Sequence, residues 1–411
     1  MNRREYLKLA SVAAVSPLTS VGLHSASAQE PAKIECSLTR LNLRHTWTTT
    51  MSSSGYRETV QLRYSKDGTT GYGEGAPIIR YKESPEAAKK AIESISGKIS
   101  AGDPFMYRKM LAEVRQALGP EQHAAMAAVD IAVFDWIGKK LDVPVYKLLG
   151  LDPAAAPVTD FSIGIDTPEI TREKTREAAD FPVLKVKVGL KTDEPTIEAV
   201  RNVTKKPIRV DANEGWTDKE EAIRKINWLE SQGIEFVEQP MPAHMLEETR
   251  YVRSKVHLPI YADEACTDVN MIPKLVDAYD GINVKLDKSG GILEAIRWIE
   301  VARALNLKVM LGCMVSSSCT VTAAAHISPL VDHADLDGGL LVANDPWHGV
   351  RIDKGKLLLP TGPGLGLPEL RGSQPEHDEP AHGGLGDRFT RISYRENGMP
   401  AEYVQPSIRG H

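Results

Sequence analysis

Three carboxylates recur at the ends of short apolar runs, in Val210-Asp211-Ala212-Asn213, Val237-Glu238-Gln239-Pro240 and Tyr261-Ala262-Asp263-Glu264. They stand 27 and 25 residues apart, one strand-plus-helix unit each. Neighbouring parallel strands ending at these residues would gather three oxygen ligands around one point. A set without His or Cys suits a hard divalent cation, Mg²⁺ before Zn²⁺. Asn213 and Glu264 stand beside the ligands and support them. A single such Asp would read as a helix cap or a surface charge, but three in register on consecutive strands read as a metal site.

Two lysines share one face of Leu184-Lys185-Val186-Lys187-Val188, because side chains alternate along a strand. Lys285 repeats the pattern in Asn283-Val284-Lys285-Leu286-Asp287, four strands further round. A buried lysine needs anionic company or a task. Strands two and six of an eight-stranded barrel face each other, so Lys187 and Lys285 would flank a substrate held on the metal. A carboxylate bound to Mg²⁺ makes its neighbouring C–H more acidic and stabilises the resulting enediolate. One lysine then removes the proton and the other returns it from the opposite face. A base needs neutral lysine, and neighbouring cations, Lys185 among them, would lower the pKa. Lys185 also suits carboxylate binding. Lys288 reads as structural or solvent-facing.

Asp335-Leu336-Asp337 sets two further carboxylates on one face at the barrel mouth, away from the metal trio. Paired acids there bind a cationic group, most simply a free ammonium. The alternative is a pair of helix caps around Gly338-Gly339. The chain has no Ser-His-Asp elbow and no H-E-x-x-H. Gly71-Tyr72-Gly73-Glu74-Gly75 and Gly362-Pro363-Gly364-Leu365-Gly366 both read as turns rather than phosphate loops.

These residues need a scaffold that brings consecutive strand ends to one place. Apolar runs at 160–165, 183–188, 208–211, 236–238, 260–263, 282–286, 309–313 and 334–337 alternate with helical segments such as 218–231, 293–305 and 319–330. Eight such repeats predict a (β/α)₈ TIM-type barrel over residues 151–367, whose active face is built from the carboxyl ends of its strands. A doubly wound sheet alternates in the same way and is the other fold this pattern allows. Before the barrel, residues 31–75 read as strands, with an alternating Thr59–Tyr64 and a Lys66-Asp67-Gly68 turn. Residues 84–140 read as helices, starting at the cap Ser84-Pro85. Residues 31–150 thus predict an N-terminal α+β capping (lid) domain.

The flanks differ in texture. Arg3-Arg4 ahead of Tyr6-Leu7-Lys8, an apolar middle and Ala26-Ser27-Ala28 describe an export signal of the twin-arginine type over residues 1–28, implying a periplasmic address. Residues 368–411, rich in Pro, Gly and His, read as a loosely ordered tail. Cys36, Cys266, Cys313 and Cys319 have no C-x-x-C spacing and read as free thiols. Across 411 residues, a net charge of -5 gives no reason to expect nucleic acid, and no apolar run reaches the roughly 18 residues of a membrane span. The partner implied is a small molecule, with a homo-oligomer open.

Together these motifs resemble the enolase superfamily, muconate-lactonising subgroup, and within it the dipeptide epimerases. The resemblance covers residues 33 to 365. It rests on the K-x-K of Lys185/Lys187, the D-A-N of Asp211, the E-Q-P of Glu238, the D-E of Asp263, the Val284–Gly291 stretch around Lys285, Gly312-Cys313-Met314 and the D-x-D of Asp335/Asp337. It implies Lys187 and Lys285 as acid/base pair, Asp211, Glu238 and Asp263 as Mg²⁺ ligands, and the D-x-D pair as the site for a dipeptide's α-ammonium. The substrate would be a dipeptide inverted at its carboxy-terminal residue, with Met314 in the substrate-binding set. Family members acting on Ala-Glu carry an arginine in the first lid loop. Here Thr48–Ser54 has none, and Arg57 and Arg80 lie nearby as candidate substrate contacts, so a less acidic dipeptide is open. Cycloisomerases, o-succinylbenzoate synthases and N-acylamino acid racemases share the scaffold, but their substrates lack the ammonium that would explain Asp335 and Asp337. A binding protein without turnover would leave two buried lysines without a task.

Overall fold

The computed structural model describes residues 30–368. The export signal read over 1–28, and the expected tail beyond its first residue, lie outside the described residues. Strands β1 (Lys33–Thr48), β2 (Ser53–Lys66) and β3 (Thr69–Gly75) form an antiparallel sheet in that order. Asp67 and Gly68, both left-handed (φ 47° and 72°), make the two-residue turn between β2 and β3. Helices α1 (Pro85–Ser94), α2 (Ser96–Ala101), α3 (Tyr107–Leu118), α4 (His123–Leu141) and α5 (Val145–Leu148) follow. Ser84 caps α1 as expected, its hydroxyl accepting from the Ala87 N–H at 3.1 Å.

Gly71–Gly75 is a strand, not the turn its composition suggested. A Cβ on Gly71, Gly73 or Gly75 would lie 2.0–2.1 Å from the carbonyl oxygens of Ala132, Ala128 and Ala124 respectively. Glycines two apart on β3 advance about 7 Å per step and alanines four apart on α4 about 6 Å, so one bare edge meets one bare stripe. Backbone packs directly on backbone. Gly362–Gly366 is the turn expected, with Gly364 and Gly366 left-handed.

The second half forms eight parallel strands: β4 (Phe161–Ile163), β5 (Leu184–Lys187), β6 (Ile208–Asp211), β7 (Ile234–Glu238), β8 (Ile260–Ala262), β9 (Gly281–Val284), β10 (Lys308–Gly312) and β11 (His333–Asp335). They pair in sequence order, and a parallel bridge from Thr159 to Ala334 joins the last to the first. A doubly wound sheet has two open edges, so this closure decides for the barrel. Helices α6 (Pro168–Glu177), α7 (Asp193–Arg201), α8 (Lys219–Ser231), α9 (Leu246–Arg253), α10 (Ile272–Leu275), α11 (Leu286–Ser289), α12 (Ile292–Ala304) and α13 (Ser318–Ile327) occupy the connections. Phe236, Tyr261 and Met310 form a small apolar cluster, the two rings stacked at 4.3 Å. Polar side chains fill the carboxyl ends of the strands.

Carboxylates from the lid fasten it to that polar end. Glu74 on β3 caps α13, accepting from the Ser317 and Thr320 N–H groups at 3.1 and 3.2 Å. Asp130 on α4 caps α12 through the Ile292 N–H at 2.6 Å. A helix amino terminus presents unpaired N–H groups and partial positive charge, so each buried acid meets what it needs. Among the described residues no helix is long and apolar enough to cross a membrane, and all four cysteines are free.

Candidate active site

Asp211 ends β6, Glu238 ends β7 and Asp263 follows β8, and all three are buried. One oxygen from each lies within 4.8 Å of the others. All three donors are hard oxygens, and the buried Asn213 Oδ1 and Glu264 Oε2 beside them have no hydrogen-bond donor. This set fits a hydrated divalent cation such as Mg²⁺. Asn213, Glu214 and Gln239, just past β6 and β7, hold left-handed φ of 40°, 65° and 36°. Non-glycine residues pay for such backbone, and it concentrates at sites where the chain must aim a side chain.

The lysines bracket this trio. Lys187 Nζ lies 2.6 Å from Asp211 Oδ2 and Lys285 Nζ 2.7 Å from Asp263 Oδ2, so each holds one outer carboxylate. Lys185, wholly buried, sits 2.6 Å from the middle carboxylate, Glu238, 2.6 Å from Asp335 and 3.5 Å from Asp211. The D-x-D pair is therefore one cation away from the trio rather than apart from it. Ser162 on β4 joins the pair: its hydroxyl donates to Asp335 Oδ1 at 3.2 Å and its N–H to Asp337 Oδ2 at 2.6 Å. Asp337 precedes the 3₁₀ turn Gly338–Leu341, but its side chain makes no capping hydrogen bond there, so the capping alternative falls.

Charge follows geometry. Burial pushes Asp263 up, but Lys285 and Lys288 outweigh it and hold the carboxyl well below the usual range. Asp211 is likewise held low by Lys187 and Lys185. Burial and its acidic neighbours push Glu238 and, further, Glu264 up. Asp337 is raised to about 7 by burial and Asp335, while Lys185 keeps Asp335 low against burial. The downward shift expected for the base lysine is not what these groups produce at Lys285. Burial acts downward there and Lys185 adds to it, but Asp263 and Glu238 hold the ammonium above its ordinary value.

Lys288 takes the structural of its two expected roles. It is buried, donating to Asp263 Oδ1 and to the carbonyls of Asp263 and Asn283, both at 2.8 Å. Arg80 is engaged in a fork with Glu214, at 2.7 and 2.8 Å, and that carboxylate also accepts from the Ala243 N–H. Arg80 is thus a clasp between lid and barrel. Arg57 donates to the Tyr56 carbonyl and is not among the contacts of the lysine–carboxylate cluster. Met314, buried after β10, lies against Gly338, where a Cβ would come 2.7 Å from its carbonyl. The lid loop reaches the site through the Thr50 hydroxyl, which donates to the Asn213 carbonyl at 2.6 Å, and Trp47, whose ring centre is 5.9 Å from Lys187 Nζ.

Two functional residues escaped the sequence reading. Asn283 Nδ2 donates to Glu238 Oε1 at 2.6 Å, and Ser162 ties the D-x-D pair. Asn283 could have been found by stepping back two from Lys285 on the same strand face. Ser162, uncharged on a three-residue strand, carried no signal.

Comparison with known proteins agrees with this arrangement. Residues 33–150 match the mandelate racemase / muconate lactonizing enzyme N-terminal domain and residues 170–369 the enolase C-terminal domain-like family. An L-Ala-D/L-Glu epimerase of Bacteroides thetaiotaomicron is 39% identical over 90% of this chain and 100% of its own length. The substrate-liganded L-Ala-D/L-Glu epimerase of Bacillus subtilis superposes with a TM-score of 0.78 at 28% identity, covering 82% of this chain and 98% of that one. The Enterococcus faecalis dipeptide epimerase, complexed with Mg and L-Leu-L-Tyr, gives 0.77 at 32% identity, covering 82% and 99%.

Proposed function

This chain belongs to the enolase superfamily, in its mandelate racemase / muconate lactonizing branch, and we propose that it is a Mg²⁺-dependent dipeptide epimerase inverting the carboxy-terminal residue. The observation that carries the reading is the bracket: Lys187 on β5 and Lys285 on β9 each hold one outer carboxylate of the trio. They approach a substrate carboxylate from opposite sides.

When bound among Asp211, Glu238 and Asp263, Mg²⁺ supplies positive charge beside the substrate carboxylate and acidifies the neighbouring C–H. The rest is the protein's own work. Lys187 and Lys285 stand on the two faces of the α-carbon, one removing its proton and the other delivering one. Lys185 neutralises Glu238 and Asp335 and offers its ammonium to the substrate carboxylate. Asp335 and Asp337 receive the free amino terminus, fixing the dipeptide's direction. Trp47 and the Thr50 clasp close the lid loop over Lys187 and exclude water. With Arg80 engaged by Glu214 and no arginine in Thr48–Ser54, the side-chain pocket favours an uncharged residue.

A dipeptide library incubated with enzyme and Mg²⁺ in D₂O tests the reading by mass. A one-deuteron gain at the carboxy-terminal α-carbon, lost when the amino terminus is acetylated, is expected. Incorporation that ignores acetylation points instead to an N-acylamino acid racemase, and none with any dipeptide refutes the proposal.

A further inference from the structure

Beneath the substrate site lies a second set of charges that the proton transfer does not use. Asp160, just before β4, is wholly buried. Its Oδ2 accepts from Arg209 Nη1 at 2.8 Å. Arg209, two residues before Asp211 on β6, is itself buried. Its other contacts are the Ala334 carbonyl at 3.2 Å, His333 Nδ1 at 3.1 Å and Glu235 Oε2 at 3.0 Å. A guanidinium so fully engaged cannot swing, and it fixes the carboxyl it holds.

The other oxygen of Asp160 is the telling one. Oδ1 is buried and no donor reaches it. The Asp160 carboxyl neighbours that of Asp335, across the seam where the Asp160 N–H donates to the Ala334 carbonyl at 3.2 Å. Two carboxylates cannot meet in a buried seam with both ionised. Burial and the Asp335 charge push Asp160 well above its ordinary range against the pull of Arg209, whereas Lys185 holds Asp335 ionised. A proton on Asp160 would make it the donor to Asp335. Asp335 is then held by Asp160, by Ser162 at 3.2 Å and by Lys185 at 2.6 Å.

We propose that Asp160, anchored by Arg209, is a positioning residue for the substrate's amino terminus, aiming the Asp335 carboxylate to receive the ammonium. This rests on the reading of Asp335 and Asp337 as the ammonium site. No role in the proton transfer itself is assigned to Asp160, so its removal acts on KM rather than kcat.

The test compares Asp160→Leu, Asp160→Asn, Arg209→Lys and Asp335→Asn in the Mg²⁺-loaded enzyme. Each is assayed by α-deuterium incorporation into a dipeptide accepted by the wild type. Asp160→Leu should raise KM about tenfold or more, the loss of one hydrogen bond to a charged group, with kcat within about threefold. Asp160→Asn should return KM to within about twofold of wild type, because its amide donates to Asp335 while its carbonyl still accepts from Arg209. Arg209→Lys keeps the charge but loses the fork, and should raise KM several-fold even if Asp160→Leu does not fold. Equal defects in the Leu and Asn variants, or unchanged KM in both Asp160→Leu and Arg209→Lys while Asp335→Asn raises it, would overturn the proposal alone. Unchanged KM in Asp335→Asn overturns the ammonium reading first, and this proposal with it.

Discussion

Replacing Asn283 by leucine removes a hydrogen bond and a buried unpaired oxygen together. Asn283 Nδ2 donates to Glu238 Oε1 at 2.6 Å, while Oδ1 has no donor. The bond to a charged acceptor is worth roughly 1.5–3 kcal/mol and the orphan costs roughly 1–3 kcal/mol. The two largely offset, so the metal-free fold should change by no more than about 2 kcal/mol. Metal binding has no such compensation. Glu238 loses the group that orients it, and outer partners of metal ligands are worth roughly 10–100-fold in affinity, about 1.4–2.7 kcal/mol. Burial and Asp211 already raise the Glu238 pKa. Losing a donor to its charged form raises it further, so protons compete harder with the metal as pH falls. Calorimetric Mg²⁺ titration gives the affinity, and urea unfolding with and without Mg²⁺ gives the stability and its metal-linked increment. A Kd within about twofold of wild type, or a metal-free fold weakened by several kcal/mol, would refute the reasoning.

Asp130 caps α12 with a pKa of about 7 against 3.8 unfolded, so the folded state holds the proton more tightly. Its contribution is complete below about pH 3.8 and is lost as pH rises through about 7, by up to about 4 kcal/mol. Asp130→Asn should flatten that fall in urea midpoints between about pH 4 and pH 7, and parallel curves would count against it. Gly73→Ala puts a Cβ 2.0 Å from the Ala128 carbonyl and should cost about 2 kcal/mol or more in urea unfolding; a neutral change would mean that β3 and α4 can separate. Among accepted dipeptides, kcat/KM should be higher for an uncharged carboxy-terminal side chain than for glutamate, and the reverse order would point to a guanidinium reaching the pocket.

The trio was legible because the barrel repeats a strand and a helix in about 25 residues, so in-register carboxylates announce themselves. Lys185 and Lys187 were legible through strand alternation. Lys288 was not, because it lies on α11, past the end of β9, where alternation stops and the short helix turns its ammonium back onto Asp263. Asp160 and Asn283 follow their strands' inward faces, but only the contacts with Arg209 and Glu238 show what they hold. Gly71–Gly75 misled because glycine composition is the same in a turn and in a strand packed on a helix. The difference lies in Ala124, Ala128 and Ala132, 49 to 61 residues from the glycines they meet. Arg80 has its partner 134 residues on, beyond any local pattern.

Separating the two lysines tests the bracket most directly. Lys187→Ala and Lys285→Ala would each be incubated with Mg²⁺ in D₂O and with each configuration of an accepted dipeptide, following α-deuterium and inversion separately. Both variants should lose inversion. Each should retain deuterium exchange with one configuration only, and the two should be complementary, since each lysine serves one face of the α-carbon. Full inversion by either variant, or exchange surviving on the same configuration in both, would contradict it.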